Sequence, residues 1–379
     1  MISQFLYRCK AAIAAGQLHP KIVLGNEGGD MDSIVGSVYL AYLLTQVDGG
    51  DDPVVPYLNF ILDDVPLRND VVKLLAEEGI DTALFQSVVQ SPSELALPAR
   101  CSEITLFDHN VLAPHQREWD ALVKRVVDHH VDEQRYPSQC TLYEVAAVGS
   151  ASTLVVELFD RRNVAIPSPK VLLAPIVLDT MNFDVKHKKV TPRDVAARDR
   201  LIRDIPELQQ QGSIDAWFDT LNEWKNDTTQ LTPPQCLRRD YKRFEFTDAK
   251  VQNWRVGISS VPVLQNGIHA LYTPEKWIAA CSAFRAERDL DVLAVMYAGE
   301  NTDGLFSREL EVFLPSHIIG MFEHFAEVTD CTIGLALQES AESCASLARL
   351  FYTQRDGAVS RKKFTPLLSD AIAKFSPKL

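Results

Sequence analysis

Apolar residues along positions 20–183 fall into two kinds of run. "KIVLG" (21–25), "PVVPYLNF" (53–60), "SEITLFDHN" (102–110) and "LVKRVVDHH" (122–130) are short and bounded by turn formers, which predicts strands. "DSIVGSVYLAYLLTQV" (32–47), "LRNDVVKLLAEEG" (67–79) and "GSASTLVVELFDRR" (149–162) have helical spacing. The first of these is expected to be capped by Asp32 or Ser33, and the second to stop at Gly79. "PKVLLAPIVLDTMNF" (169–183) reads as one more apolar strand leading to an acidic end. Such alternation predicts an α/β fold, a doubly wound parallel sheet with helices on both faces. Ligands of such sheets sit at the carboxyl ends of the strands, so the polar groups closing these runs are expected on one edge.

From about residue 190 the chain turns polar, and "ELQQQGS" and "NDTTQLTPPQ" read as a connector. A second pattern starts near "YKRFEFT" (241–247). It continues through "WRVGISSVPV", a helix over "TPEKWIAACSAFRAERD", a strand over "VLAVMYAG" and a helix over "ESCASLARLF" (342–351). The expected division is a first domain over 1–195, a linker over 196–235 and a smaller α/β domain over 236–379.

Composition narrows the class of protein. Apolar residues make up 46% and charged residues 23%, a globular profile. No apolar run reaches the ~20 residues of a membrane helix, so no membrane partner is expected. The first twenty residues hold two basic groups and no acid, yet their apolar spacing suits a docked amphipathic helix better than a transit peptide. The seven cysteines are scattered, with no Cys-x-x-Cys pair, which argues against a disulfide framework or zinc ribbon and for a reducing, cytoplasmic setting. A net charge of −13 repels long nucleic acid, so any polyanionic substrate must be met by a local basic cluster.

Four acidic clusters close the runs of the first half: Asp30-Met31-Asp32, Asp108-His109-Asn110, Asp128-His129-His130 and Asp179-Thr180-Met181-Asn182. One Asx group after a strand is most simply a turn or a cap. Four on one edge would repel unless cations neutralise them. Oxygen donors with one imidazole suit Mg²⁺ or Mn²⁺ better than a structural zinc. Basic groups able to meet a polyanion follow in the second half: Arg238, Arg239, Lys242 and Arg243, then Arg361, Lys362 and Lys363. Lys186, Lys188 and Lys189 read most simply as a solvated basic face.

"DMDSIVG", "LFDHN", "VVDHH" and "VLDTMNF" together resemble the four motifs of the DHH phosphoesterase superfamily. "GAVSRKKFTPLLSDA" (357–371) resembles the C-terminal signature shared by family II inorganic pyrophosphatases, eukaryotic exopolyphosphatases and prune-type proteins. This resemblance implies a two-domain fold with the active site in the cleft between the domains, and a two-metal centre of Mg²⁺, or of Mn²⁺ or Co²⁺. It implies Asn26 and Asp30 at the first ion, Asp32, His129 and Asp179 at the second, and Asp108 bridging both. Asp128 would support that shell. His130 would face the substrate, with Lys242, Arg361 and Lys362 gripping phosphate and Arg68 helping to hold a long chain. Pyrophosphatases carry histidine at the position of Asn26, so this residue points away from them and towards exopolyphosphatases and prune-like proteins. The intact Asp128-His129-His130 points away from vertebrate prune proteins. The implied activity is release of orthophosphate from the ends of inorganic polyphosphate. Pyrophosphate hydrolysis, or a prune-like cyclic-nucleotide phosphodiesterase or scaffold role, is the alternative.

Overall fold

The computed structural model describes residues 1–15, 20–49, 52–60, 62–81, 100–250, 252–344 and 347–374. The chain divides into two compact units, Met1–Asp227 and Thr228–Leu379.

In the first unit, strands β1 (Lys21–Leu24), β2 (Val55–Tyr57), β3 (Glu103–Phe107), β4 (Val123–Asp128) and β5 (Leu142–Val145) form one parallel sheet in the order β2-β1-β3-β4-β5. The chain leaves β1 for β2 on one side and returns to β3 on the other. The topological switch point therefore lies between β1 and β3, and the crevice it opens lies beyond their carboxyl ends. Helix Met31–Asp48 is buried nearly all round, as its apolar sequence dictates, and packs against helices Ala151–Arg161 and Pro169–Asp179. The N-terminal helix Ile2–Ala14 docks through Ile2, Phe5, Leu6 and Cys9.

The first unit departs from the sequence reading in three places. "PKVLLAPIVLD" is a helix, Pro169–Asp179, and not a strand. An unbroken apolar run is compatible with either state, and its eleven residues, opened by Pro169 after Ser168, favour the helix. The expected linker carries helices Pro192–Ile202 and Ser213–Asn226, which bury Ala197, Leu201, Trp217 and Leu221, and the first unit runs on to Asp227. Polar composition there marks amphipathic surface helices, since four buried apolar positions suffice to dock them. Strand β5, a half-buried edge, passed unread because "LYEV" is too short to show a period.

The second unit carries a six-stranded sheet in the order β10-β11-β9-β8-β7-β6. Its strands are β6 (Tyr241–Thr247), β7 (Asn253–Val261), β8 (Val292–Glu300), β9 (Phe306–Pro315), β10 (Leu335–Cys344) and β11 (Leu347–Gln354). Only the β7–β8 pair is parallel. The described residues of "ESCASLARLF" therefore belong to strands β10 and β11, which pair antiparallel, and not to a helix. The run's alanines and leucines are compatible with a helix, but antiparallel pairing to β9 decides, and tertiary context overrides propensity. Arg349, the polar residue of that run, is buried against Glu311 of β9, which is fully enclosed. The Glu311 carboxylate also accepts from Tyr297 Oη, from Trp277 Nε1 at 3.2 Å and from Gln265 Nε2 at 3.3 Å.

Candidate metal centre

The loop after β1 is folded by its own side chains. Asn26 N–H donates to Ser33 Oγ at 2.7 Å, and Asn26 Oδ1 accepts from Gly29 N–H at 2.8 Å. Gly29 has φ of 55°, and a Cβ there would lie 2.2 Å from Phe60, so the sharp turn requires glycine. Arg68 Nη2 donates to Gly28 O and its guanidinium stands 5.5 Å from the Phe60 ring centre, which places Arg68 beside this loop. The cap of helix Met31–Asp48 is Asp30, whose carboxylate accepts Ser33 N–H at 3.0 Å, and not Asp32 or Ser33 as the sequence suggested. Asp32 lies inside the first turn and caps a different helix. Its oxygens accept Ser150 Oγ (2.8 Å), Ala151 N–H (2.7 Å), Ser152 N–H (2.9 Å) and Ser152 Oγ (2.6 Å) at the start of Ala151–Arg161. Burial raises the Asp32 pKa; His129 lowers it and Asp30 raises it further.

The next two clusters close β3 and β4. Asp108 has φ of 61°, a left-handed position fixed by its N–H donating to Val127 O at 3.0 Å. Its Oδ2 accepts Asn26 Nδ2 at 2.6 Å. Its Oδ1 is buried and no donor is aligned on it. His129 Nε2 lies 3.3 Å from that oxygen and His130 Nδ1 lies 3.8 Å from it. Burial pushes the Asp108 pKa up to about 8; the His129 contact lowers it, while Asp32 and Asp30 raise it. His129 Nδ1 is committed to Val148 O at 3.1 Å, which leaves Nε2 facing the carboxylates. Burial alone would lower the His129 pKa, but Asp108 and Asp32 outweigh it and hold it at about 10.

Asp128 is the support of this pair. Its Oδ1 accepts His129 N–H and His130 Nδ1, each at 2.8 Å, and its Oδ2 accepts Asn110 Nδ2 at 2.5 Å. Burial raises its pKa, but the bonds from His130 and Asn110 bring it below the usual carboxylate value. His130 is thus held by one nitrogen and is 58% exposed.

Asp179 ends helix Pro169–Asp179. Its pKa is pushed well above the usual value, first by burial and then by Asp32 and Asp30, with Lys225 opposing and Asp108 adding to the rise. Lys225 belongs to the stretch expected to be a linker. Met181, Asn182 and Phe183 follow with φ of 52°, 56° and 60°, three successive left-handed non-glycine residues. Thr180 Oγ1, accepting Phe183 N–H at 3.1 Å, and Asn182 Nδ2, donating to Asp215 at 2.6 Å, hold them there.

Asp30, Asp32, Asp108 and Asp179 therefore feel one another, and ligand atoms of Asp108, His129 and His130 lie within 4.8 Å of one another. These donors fit a divalent cation: four carboxylates, one imidazole nitrogen left facing them and a buried carboxylate oxygen without a donor. Asn26 Oδ1 spends one lone pair on Gly29 and keeps a second. Sequence reasoning missed Asn110, Ser150 and Ser152 as holders of Asp128 and Asp32. The serine pair before "TLVV" is a capping signal, but nothing in the sequence says that the carboxylate answering it lies at position 32.

In the second unit, Lys242 lies exposed on β6, and Arg361 opens helix Arg361–Lys374. Arg361 donates to Asp240 O at 2.6 Å and to Asp240 Oδ1 at 2.5 Å, which seats it beside the start of β6. Lys362 and Lys363 are exposed. Arg243 reaches Arg288 O at 3.4 Å.

Comparison with known proteins gives the class. Residues 21–181 match the DHH family, N-terminal domain, and residues 219–371 match the DHHA2 domain. The chain belongs to the DHH phosphoesterase family. It is 30% identical to exopolyphosphatase PRUNE1 of Rattus norvegicus and 29% identical to that of Homo sapiens, in each case over 99% of this chain and 80% of the relative. It is 23% identical to a manganese-dependent inorganic pyrophosphatase of Methanocaldococcus jannaschii, over 66% of this chain and 76% of the relative. Similarity over nearly the whole of this chain thus runs to relatives named as exopolyphosphatases.

Proposed function

We propose that the protein is a divalent-cation-dependent exopolyphosphatase, a hydrolase that cleaves terminal phosphoanhydride bonds of inorganic polyphosphate. The observation that carries this reading is Asp108 Oδ1. It is buried without a donor, among three further aspartates and 3.3 Å from His129 Nε2. His129 offsets part of that charge, but four carboxylates outnumber it, so the group is stable in its ionised form only when further cations join it. The relatives named above as exopolyphosphatases and as a manganese-dependent pyrophosphatase support the same chemistry.

Asn26 and Asp30 would hold one ion and Asp32, His129 and Asp179 another, with Asp108 between them. Mg²⁺ is the expected metal, because oxygen donors dominate the set. When bound, such ions supply Lewis acidity towards water and phosphate oxygens. The chain's own residues do the rest. Water adds to the terminal phosphorus, the bond to the bridging oxygen breaks, and the proton lost by water is replaced on the leaving phosphate from solvent or from His130. Asp128 fixes His130 by Nδ1, leaving Nε2 to donate to the bridging oxygen. Arg361 is preorganised by Asp240 and, with Lys362 and Lys242, would neutralise phosphate oxygens. Arg68, beside the Gly28 carbonyl, would meet a phosphate farther along the chain. The substrate expected is a small phosphoanhydride, and the location expected is cytoplasmic.

The test is phosphate release from polyphosphate, pyrophosphate and a cyclic nucleotide, each with Mg²⁺, Mn²⁺ or Co²⁺. Release from polyphosphate ends is expected. Release from pyrophosphate alone moves the assignment to an inorganic pyrophosphatase, and release from none of the three favours a scaffold.

A further inference from the structure

The segment Asp184–Lys189 concentrates positive charge in a chain of net charge −13. Its backbone is held in place. Asp184 Oδ1 accepts Lys186 N–H at 2.9 Å, His187 N–H donates to Asp184 O at 3.2 Å, and Lys188 has φ of 54°. Residues 185–189 are exposed. The ammonium groups of Lys186, Lys188 and Lys189 have no ion-pair or hydrogen-bond partner among the described residues. Nearby cations do: Arg193 binds Glu157 at 2.6 Å, and Arg198 binds Asp199 at 2.8 Å while covering the Phe183 ring.

The position of the segment is set by Gly149. A Cβ on Gly149 would lie 2.8 Å from Lys189 O and 2.5 Å from Thr180 Cγ2, so the loop packs directly on that backbone. Gly149 stands between Val148, whose carbonyl accepts from His129 Nδ1, and Ser150, whose hydroxyl donates to Asp32. Asp194 clamps the far side, accepting Gly149 N–H at 2.9 Å, Thr153 Oγ1 at 2.7 Å and Thr191 N–H at 2.7 Å. The front of the loop is tied to Thr180, next to Asp179. The loop that carries the three lysines thus packs, through the Lys189 carbonyl, on the same short backbone that positions His129 and Asp32.

We propose that this loop is a second anion subsite, resting on the reading above, which holds the trailing phosphates of a polyphosphate chain while its end is cleaved. Unpaired lysines are flexible point charges that suit a repeating anion without a fixed register. Phe183, an aromatic side chain at this loop, is covered by Arg198, so a stacking platform for nucleic-acid bases is lacking there among the described residues.

The test compares the parent with the triple variant Lys186→Gln, Lys188→Gln, Lys189→Gln, using long-chain polyphosphate and tripolyphosphate over a range of salt. The KM for the long chain should rise roughly ten-fold, each exposed contact being worth a few-fold, against less than about two-fold for tripolyphosphate. The log–log salt dependence of long-chain binding should flatten by about two, the loss of three phosphate contacts. An unchanged ratio of long-chain to short-chain KM overturns the proposal. If the parent releases phosphate from neither substrate, the hydrolase reading fails by itself. Anisotropy with fluorescent long-chain polyphosphate then decides the loop: weaker binding by the variant keeps it, and equal binding removes it. Loss of single-stranded RNA binding with polyphosphate binding intact also overturns it.

Discussion

Each unit buries acid, a single glutamate in the second and a cluster of aspartates in the first, and the two are neutralised differently. In the second unit, Glu311 meets a built-in cation, Arg349, and three further donors. In the first, His129 acts on Asp32 and Asp108 and Lys225 on Asp179, and one oxygen of Asp108 has no aligned donor. Both arrangements are costly to desolvate. Glu311 finds its compensation within the chain, in Arg349, and is a matter of stability. The aspartates of the first unit leave part of theirs to come from outside, as the proposed cation site requires.

Breaking the acidic side has the largest expected effect. Asp108→Asn should lower polyphosphate turnover by roughly a thousand-fold or more and weaken cation uptake measured by calorimetry. On the other side, Arg349→Met strands the Glu311 charge. It should destabilise the second unit by about 3–5 kcal/mol in a denaturant titration, whereas replacing both partners with apolar residues should cost far less.

The pH response sharpens the contrast. Asp108, pushed up to about 8, and His129, at about 10, both hold protons more tightly folded than unfolded. Chelator-treated protein should therefore lose stability as pH rises from roughly 4, the ordinary carboxylate value, through about 8 and on towards 10. Cations displace those protons, so their affinity should rise over the same interval. A melting temperature of the stripped protein that climbs from pH 5 to 9 would contradict both assignments. Smaller effects are expected at the edges. Lys362→Ala should raise KM about ten-fold with little change in kcat. Asn26→His, which trades an amide for a softer nitrogen donor, should improve turnover with Mn²⁺ or Co²⁺ relative to Mg²⁺ by a few-fold.

The strands and their acidic ends were legible because a strand after a turn former, closed by Asp, has few other readings. The helix carrying Asp179 was not, since an apolar run buried on every side has no period to display. The support of the site was hardest to see. Asn110 and Ser152 act on carboxylates 18 and 120 positions away, and a pattern read along the chain cannot show pairings made across it. The run holding Arg349 was read as a helix for a related reason: within one segment a lone arginine among apolar residues suits a helix surface, and its partner Glu311 lies on the neighbouring strand.

The switch point between β1 and β3 has a consequence for biosynthesis. Asp30 leaves the ribosome early and Asp179 late, and the carboxylates meet only once the intervening strands have paired. Closing so long a loop is slow, and its entropy must be met before the long-range contacts repay it. Cations that need all four aspartates would then stabilise only the finished unit, making metal capture a late checkpoint on a correctly folded chain.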